Sequence, residues 1–137
     1  MKTPLSAQEA MIYVMVMASA VDRKMNDREL GRIGELIHAL PVFKGFDEER
    51  LITVARDCAT LLAGAEGLDI VLETVRDTLP KHLYDTAYAV AVEVAAADLS
   101  VTAEELRLLA LLRDRLDLDK LTCAAIERSA IARYRHP

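Results

Sequence analysis

A repeated segment constrains this chain more than any other feature of its sequence. Residues 22–30 read Asp-Arg-Lys-Met-Asn-Asp-Arg-Glu-Leu, and residues 98–106 read Asp-Leu-Ser-Val-Thr-Ala-Glu-Glu-Leu. An Asp, a helix-capping residue, a Glu and a Leu fall in the same order in both segments, and each matching pair is 76 residues apart. Repetition at one offset predicts two helical hairpins built alike and packed together. In each hairpin an acidic loop joins a long apolar helix to a second helix.

The composition favours one all-helical domain that spans residues 1–137. The chain is 53% hydrophobic but only 4% aromatic, and it contains no Trp. A core built from Ala, Leu, Val, Ile and Met is typical of close-packed helices and not of aromatic-rich sheets. We therefore expect an all-α bundle with the two similar hairpins inside it.

Capping residues, prolines and apolar periodicity divide the chain into about seven helices, and no segment indicates a strand. The predicted helices run from the Ser6 cap to near Val21, from the Asn26 cap to Pro41, from Asp47 to about Gly64, from about Leu68 to Leu79, from about Lys81 to Ala97, from the Thr102 cap to an acidic loop at Asp117 and Asp119, and from about Lys120 to Tyr134.

Charge and hydropathy exclude several classes of partner. A net charge of −5 opposes non-specific binding to phosphate, which needs clustered Lys and Arg, so we expect no nucleic-acid partner. The apolar run from Met11 to Val21 is shorter than the roughly 20 residues of a spanning helix, so we expect no membrane insertion. Cys58 and Cys123 lie far apart without a Cys-x-x-Cys motif, which predicts buried reduced thiols and a cytoplasmic location.

The repeated loops contain the candidate metal ligands Asp22, Glu29, Asp98 and Glu105. If the two hairpins pack together, these four carboxylates approach one another. Oxygen ligands without His or thiolate suit a hard divalent cation such as calcium or magnesium. Neither loop is an EF-hand, because the alternating acidic ligands and the central Gly are missing.

The same residues have a purely structural interpretation. Asn26-x-x-Glu29 and Thr102-x-x-Glu105 match the capping box, in which the Glu accepts a hydrogen bond from the backbone of the cap. An Asp at a helix C-terminus opposes the helix dipole and needs a compensating partner, either a cation or the free amides of the next helix. The sequence leaves both interpretations open.

Outside the loops, the sequence contains no set of catalytic residues and no cofactor motif, so we expect no enzymatic activity. Glu93 stands among small apolar residues, and its counterpart in the first repeat is Met17. Glu93 is a weak candidate for an internal polar site, since Glu is seldom fully buried. We favour a position for it on the solvent-facing stripe of its helix.

The two loops and the helix starts after them resemble those of the TerB-like tellurite-resistance family, and the resemblance extends over nearly the whole chain. It implies a bundle of about seven helices with a pseudo-repeat, in a cytoplasmic bacterial protein with a role in metal or oxyanion stress. The chain is also similar to the domain that accompanies a J-domain in some membrane-anchored co-chaperones. Family loops often read Asp-Gly, whereas this chain has Asp22-Arg23 and Asp98-Leu99.

Two functions of different class follow from these observations. The first is a stress protein that binds a divalent cation through Asp22, Glu29, Asp98 and Glu105. The second is an interaction or co-chaperone-like adaptor module that binds other proteins in a groove between the hairpins and holds no metal. The Ala-rich and Met-rich helices also allow a homodimer.

Overall fold

The computed structural model describes residues 4–20, 25–97 and 101–137. These ranges contain seven α-helices, three single-turn 3-10 helices and no strand, which confirms the predicted all-α bundle. Among these helices, none is long and apolar enough to cross a membrane. The helices are α1 (Ala7–Ala20), α2 (Asp27–Ala39), α3 (Leu51–Ala63), α4 (Gly67–Thr78), α5 (Tyr84–Ala97), α6 (Ala103–Arg115) and α7 (Lys120–Arg133).

The first helix, α1, lies at the centre of the bundle. Every residue from Ala10 to Ser19 is buried, so α1 has no solvent-facing stripe. A helix that is apolar on all sides is stable only where neighbours cover all of its faces. Helices α3, α4 and α5 pack against α1, and α2 and α6 also contact it.

The second central helix is α5, which packs against α1, α6 and α7. Helices α1 and α5 have 14 residues each, and α2 and α6 have 13 residues each. The two hairpins α1–α2 and α5–α6 therefore match in length as well as in sequence. Helix α2 is amphipathic and buries only Ile33 and Ile37.

Helix starts differ from the sequence prediction at two places. Asp47 caps a 3-10 turn, Glu48–Arg50, before α3 begins. A second 3-10 turn, Lys81–Leu83, precedes α5. The tighter 3-10 hydrogen bonds are common at helix termini, and hydrophobic periodicity does not distinguish such a turn from the first turn of an α-helix.

The two cysteines are free and buried, as the sequence predicts. The Cys58 thiol lies in α3 against α1 and donates a hydrogen bond to the Tyr13 carbonyl oxygen at 3.7 Å. Burial raises the pKa of Cys58 to about 12. Burial also raises the pKa of Cys123, in α7. Both thiols are therefore protonated near neutral pH and are poor nucleophiles.

Two glycine substitutions should change stability in opposite directions. A Cβ at residue 67 would lie 2.3 Å from the carbonyl oxygen of Leu61 and 2.5 Å from that of Leu62, whereas a Cβ at residue 34 meets only Leu51, at 3.8 Å. We expect Gly67→Ala to lower the free energy of unfolding by about 2 kcal/mol. Gly34→Ala, inside α2, should raise it by about 0.5–1 kcal/mol. Urea denaturation measures both, and a stabilised Gly67→Ala variant would contradict this packing.

Candidate functional site

A cavity of about 390 Å³ lies where the two repeated hairpins meet. Its wall is formed by the ends of α1 and α5, by α2 from its cap at Asn26 to Glu35, and by the first turn of α6. It contains three carboxylates and two guanidinium groups among small apolar side chains. The wall residues are Ala18, Ser19, Asn26, Arg28, Glu29, Gly31, Arg32, Glu35, Val94, Ala97 and Glu105.

Both predicted capping boxes are present, one at the start of α2 and one at the start of α6. The Glu29 amide donates to Asn26 Oδ1 at 2.9 Å, and the Asn26 amide donates to Glu29 Oε1 at 3.1 Å. In the second box the Glu105 amide donates to Thr102 Oγ1 at 3.1 Å, and the Thr102 amide donates to Glu105 Oε1 at 3.4 Å. The two glutamates therefore have the structural role that the sequence predicts.

The cavity brings together one carboxylate from each repeat. Glu29 and Glu105 both lie in its wall, and Glu105 is only 8% exposed. The other two predicted ligands, Asp22 and Asp98, lie outside the described residues. Within the described ranges, no three His, Cys, Asp or Glu side chains form a group that could hold a metal.

Two buried polar atoms of wall residues have no hydrogen-bond partner among the described residues. They are the hydroxyl oxygen of Ser19 and the Nε of Arg32. Ser19 is 4% exposed. Buried polar atoms without a protein partner are rare in folded proteins, and many of them bind an ion or an ordered water.

Arg32 connects the cavity to α5 and to the end of α7. Its Nη1 lies 3.7 Å from Glu35 Oε2, an exposed carboxylate of the same wall. Its Nη2 lies 3.6 Å from Glu93 Oε1 and donates a hydrogen bond to the Tyr134 hydroxyl. The guanidinium carbon also lies 5.5 Å from the centroid of the Tyr134 ring, in cation–π contact.

Glu93 is not on a solvent-facing stripe, which corrects the favoured sequence prediction. Its side chain is 17% exposed. Arg133 donates to both of its oxygens, at 2.8 and 2.6 Å, and the Tyr134 hydroxyl donates to Oε1 at 2.6 Å. Burial by itself raises the pKa of Glu93. The opposing effects are larger: the pKa is lowered by the hydrogen bonds from Arg133 and Tyr134 and by the positive charges of Arg133 and Arg32. The net pKa is therefore below its ordinary value.

Sequence reasoning missed Arg32, although the repeat contains a signal that marks it. Seventy-six residues separate Arg32 from Leu108 and Met17 from Glu93. Leu108 and Met17 are each 1% exposed and belong to the core. Each repeat thus has one charged residue, Arg32 in the first and Glu93 in the second, whose counterpart in the other repeat is apolar. A search for such breaks in the repeat would have identified both charged residues.

A separate polar cluster joins α5, α6 and α7. The hydroxyl of Tyr88, a fully buried residue, donates to Glu127 Oε2 at 2.5 Å and accepts from Arg113 Nη1 at 2.8 Å. Burial and the hydrogen bond to Glu127 raise the pKa of Tyr88 to about 12, although the Arg113 hydrogen bond opposes the rise. We interpret the cluster as structural, because the Tyr88 hydroxyl, the Glu127 carboxylate and the Arg113 guanidinium are hydrogen-bonded to one another.

Searches of family models, of curated proteins and of solved structures find no match to this chain. The resemblance to TerB-like proteins stays a prediction from the sequence.

The lowered pKa of Glu93 predicts a loss of stability in acid. Well above the ordinary pKa of 4.5, the Glu93 carboxylate is ionised in both the folded and the unfolded chain. As the pH falls, Glu93 is protonated in the unfolded chain before it is protonated in the folded chain. The free energy of unfolding should therefore fall below about pH 4.5, by at most about 1.4 kcal/mol per pH unit for this group. Urea denaturation between pH 7 and 3 measures the slope.

Glu93→Gln should reduce this acid slope, because the titrating group is gone. Arg133→Gln should reduce it as well, since it removes the hydrogen bonds that contribute most to lowering the pKa of Glu93. Parallel curves for the wild type and both variants would contradict the prediction.

Proposed function

We propose that this chain is a non-enzymatic, TerB-type protein of the bacterial cytoplasmic stress response that binds a divalent cation, calcium or magnesium, in the cavity between the two hairpins. One observation supports the cation most directly. Glu29 and Glu105, the matching carboxylates of the two repeats, line the same cavity. Residues 76 apart in sequence thus offer equivalent carboxylate oxygens to one space.

The chemistry of the wall suits a hard cation. Calcium binds carboxylate, amide and water oxygens, and magnesium retains several waters beside one or two carboxylates. Glu29, Glu105 and the side chain of Asn26 provide oxygens in the wall. Asp22 and Asp98 are the further ligands that the sequence predicts.

Net charge favours the same ligand. The wall has the carboxylates of Glu29, Glu35 and Glu105 against the guanidinium groups of Arg28 and Arg32. Its charge is therefore negative before any contribution from the aspartates, and a cation is attracted more than an anion.

A capping box does not exclude a cation contact on the same Glu. An ionised carboxylate has two oxygens and about four lone-pair directions, so one group can accept a backbone hydrogen bond and also ligate a metal. The structural and the functional interpretations of Glu29 and Glu105 are compatible.

Thermal unfolding in excess calcium or magnesium, compared with chelator, tests the proposal. At free cation about 100 times the dissociation constant, binding to the folded state should add about 2.7 kcal/mol of stability. We expect Glu29→Gln with Glu105→Gln to lose this gain, because Gln can still complete a capping box but has no charge. Asp22→Asn with Asp98→Asn should lose it too.

The matched control is Glu9→Gln. Glu9 closes a third capping box with Ser6 at the start of α1 and does not line the cavity. Glu9→Gln should lower stability slightly, because it removes the charge that binds Arg50 Nη2 at 2.8 Å, but should leave the cation-dependent gain unchanged. Equal melting midpoints for the wild type with chelator and with either cation would refute the proposed site.

An apolar groove favours a second candidate, the protein-interaction or co-chaperone-like adaptor module. This groove of about 450 Å³ lies between α2, α5 and α7. Its wall is mostly apolar, with Leu36, Leu40, Val90 and Ile126, and also includes the ion pair of Glu93 and Arg133. An apolar groove between helices is one way in which a protein binds a partner helix. The adaptor requires no cation, so its melting midpoint should not respond to chelator.

Light scattering tests one form of this second candidate. Leu121 of α7 is 80% exposed and Ile131 is 52% exposed, so α7 presents apolar surface to a partner. A dimer mass at working concentration would support a second copy of the chain as that partner, and a monomer mass would exclude it.

A further inference from the structure

Helix α7 has a row of exposed side chains that runs into the apolar groove. Leu121, Ala125, Ser129 and Arg133 follow one another at a spacing of four residues, and all four are exposed. Residues at this spacing form a ridge along one side of a helix. The last three members of this α7 ridge line the groove between α2, α5 and α7, and Leu121 lies one turn before it.

The first member of the α7 ridge is an apolar side chain in solvent. Leu121 is 80% exposed, more than any other large hydrophobic residue in the described ranges. It belongs to the helix that forms one wall of the groove, and it points away from the bundle, so it does not fill the groove of its own chain. The opposite wall provides Leu36 and Leu40 as apolar surface. The leucine and the groove are complementary surfaces for two copies of the chain.

The two ends of α7 have opposite charge. Asp117 and Asp119 precede the helix, and Lys120 at its start offsets only one of them. Arg133 and Arg135 lie at the other end, and all five residues are exposed. Two α7 helices packed antiparallel place the acidic end of each beside the basic end of the other. A parallel pair would place like charges together, which is destabilising.

We propose that two copies of this chain form a dimer in which their α7 helices pack antiparallel about a twofold axis at Ala125. Positions at equal distances on either side of Ala125 then face each other. Leu121 of one copy lies opposite Ser129 of its partner and enters the partner's groove. Asp117 lies opposite Arg133, whose side chain is 52% exposed although it also binds Glu93. The small side chain at the axis lets the two helices approach closely.

Self-complementarity favours a second copy over a different protein as the partner. Each copy provides both the exposed leucine and the groove, and both an acidic and a basic end of α7. A twofold interface uses the same patch on both copies, so every favourable contact occurs twice. The inference specifies the partner of the adaptor candidate and rests on that second proposed function; it requires no cation.

Sedimentation equilibrium of the full chain, at concentrations up to about 1 mM, tests the dimer. Leu121→Gln should weaken association by about 100-fold, because two leucines are buried in each dimer. The matched control is Ile131→Gln: Ile131 is 52% exposed on the same helix but does not line the groove. Its dissociation constant should stay within twofold of the wild type. Added salt should weaken the dimer, because the charges brought together are opposite.

Disulfide formation tests the antiparallel register. Leu121→Cys and Ser129→Cys introduce exposed thiols, whereas the native cysteines are buried. Oxidation of a mixture of the two variants should link one chain of each kind. Neither variant should link to itself, because its two copies of the new cysteine lie about 12 Å apart along the helix axes. A disulfide needs Cα atoms within about 7 Å.

The outcomes separate this inference from the proposed functions. A dimer that Leu121→Gln alone disrupts, with disulfides only in the mixture, supports the inference. A monomer at every concentration overturns it, and so does equal association of Leu121→Gln and Ile131→Gln or a disulfide in Leu121→Cys alone. None of these results alters the cation test. A dimer whose melting midpoint rises with calcium and falls with chelator would overturn the adaptor candidate and leave the α7 interface standing.

Discussion

The burial of α1 is the constraint on which the rest of this structure depends. Residues Ala10 to Ser19 are all buried, so the helix needs cover from every direction. Helices α3, α4 and α5 provide most of that cover, and α6 and α7 in turn pack on α5. Each buried CH₂ group stabilises the folded state by about 0.8 kcal/mol. The burial of α1 and α5 therefore offsets much of the conformational entropy that the chain loses on folding.

The repeated hairpins explain the regularity of the bundle and the position of a charged cavity where they meet. The two hairpins have helices of equal length, and a capping box begins both α2 and α6. The candidate cavity lies where these two similar hairpins meet. The repeat is broken at Arg32, whose counterpart in the second hairpin is Leu108, and at Glu93, whose counterpart in the first hairpin is Met17. This break places a charged pair between the cavity and an apolar groove.

The sequence was sufficient for the fold class, the number of helices and both capping boxes, because caps and hydrophobic periodicity are local signals. It was not sufficient for the 3-10 turns before α3 and α5, whose periodicity does not differ enough from that of an α-helix. The exposure of Glu93 was predicted wrongly, since its burial depends on Arg133, 40 residues away. Arg32 was missed for the same reason: its partners on α5 and α7 are brought to it only by tertiary packing.

The Cys58 thiol has a consequence for following the motions of this protein. Cys58 is fully buried, with its thiol bonded to the α1 backbone, whereas Cys123 lies on the last helix and is 4% exposed. A thiol reagent reacts with the thiolate of an exposed cysteine, so each site reports the opening of its own neighbourhood. Modification of Cys58 measures separation of α3 from α1, and modification of Cys123 measures detachment of α7. The chain thus contains two intrinsic probes that distinguish opening of the core from release of its last helix.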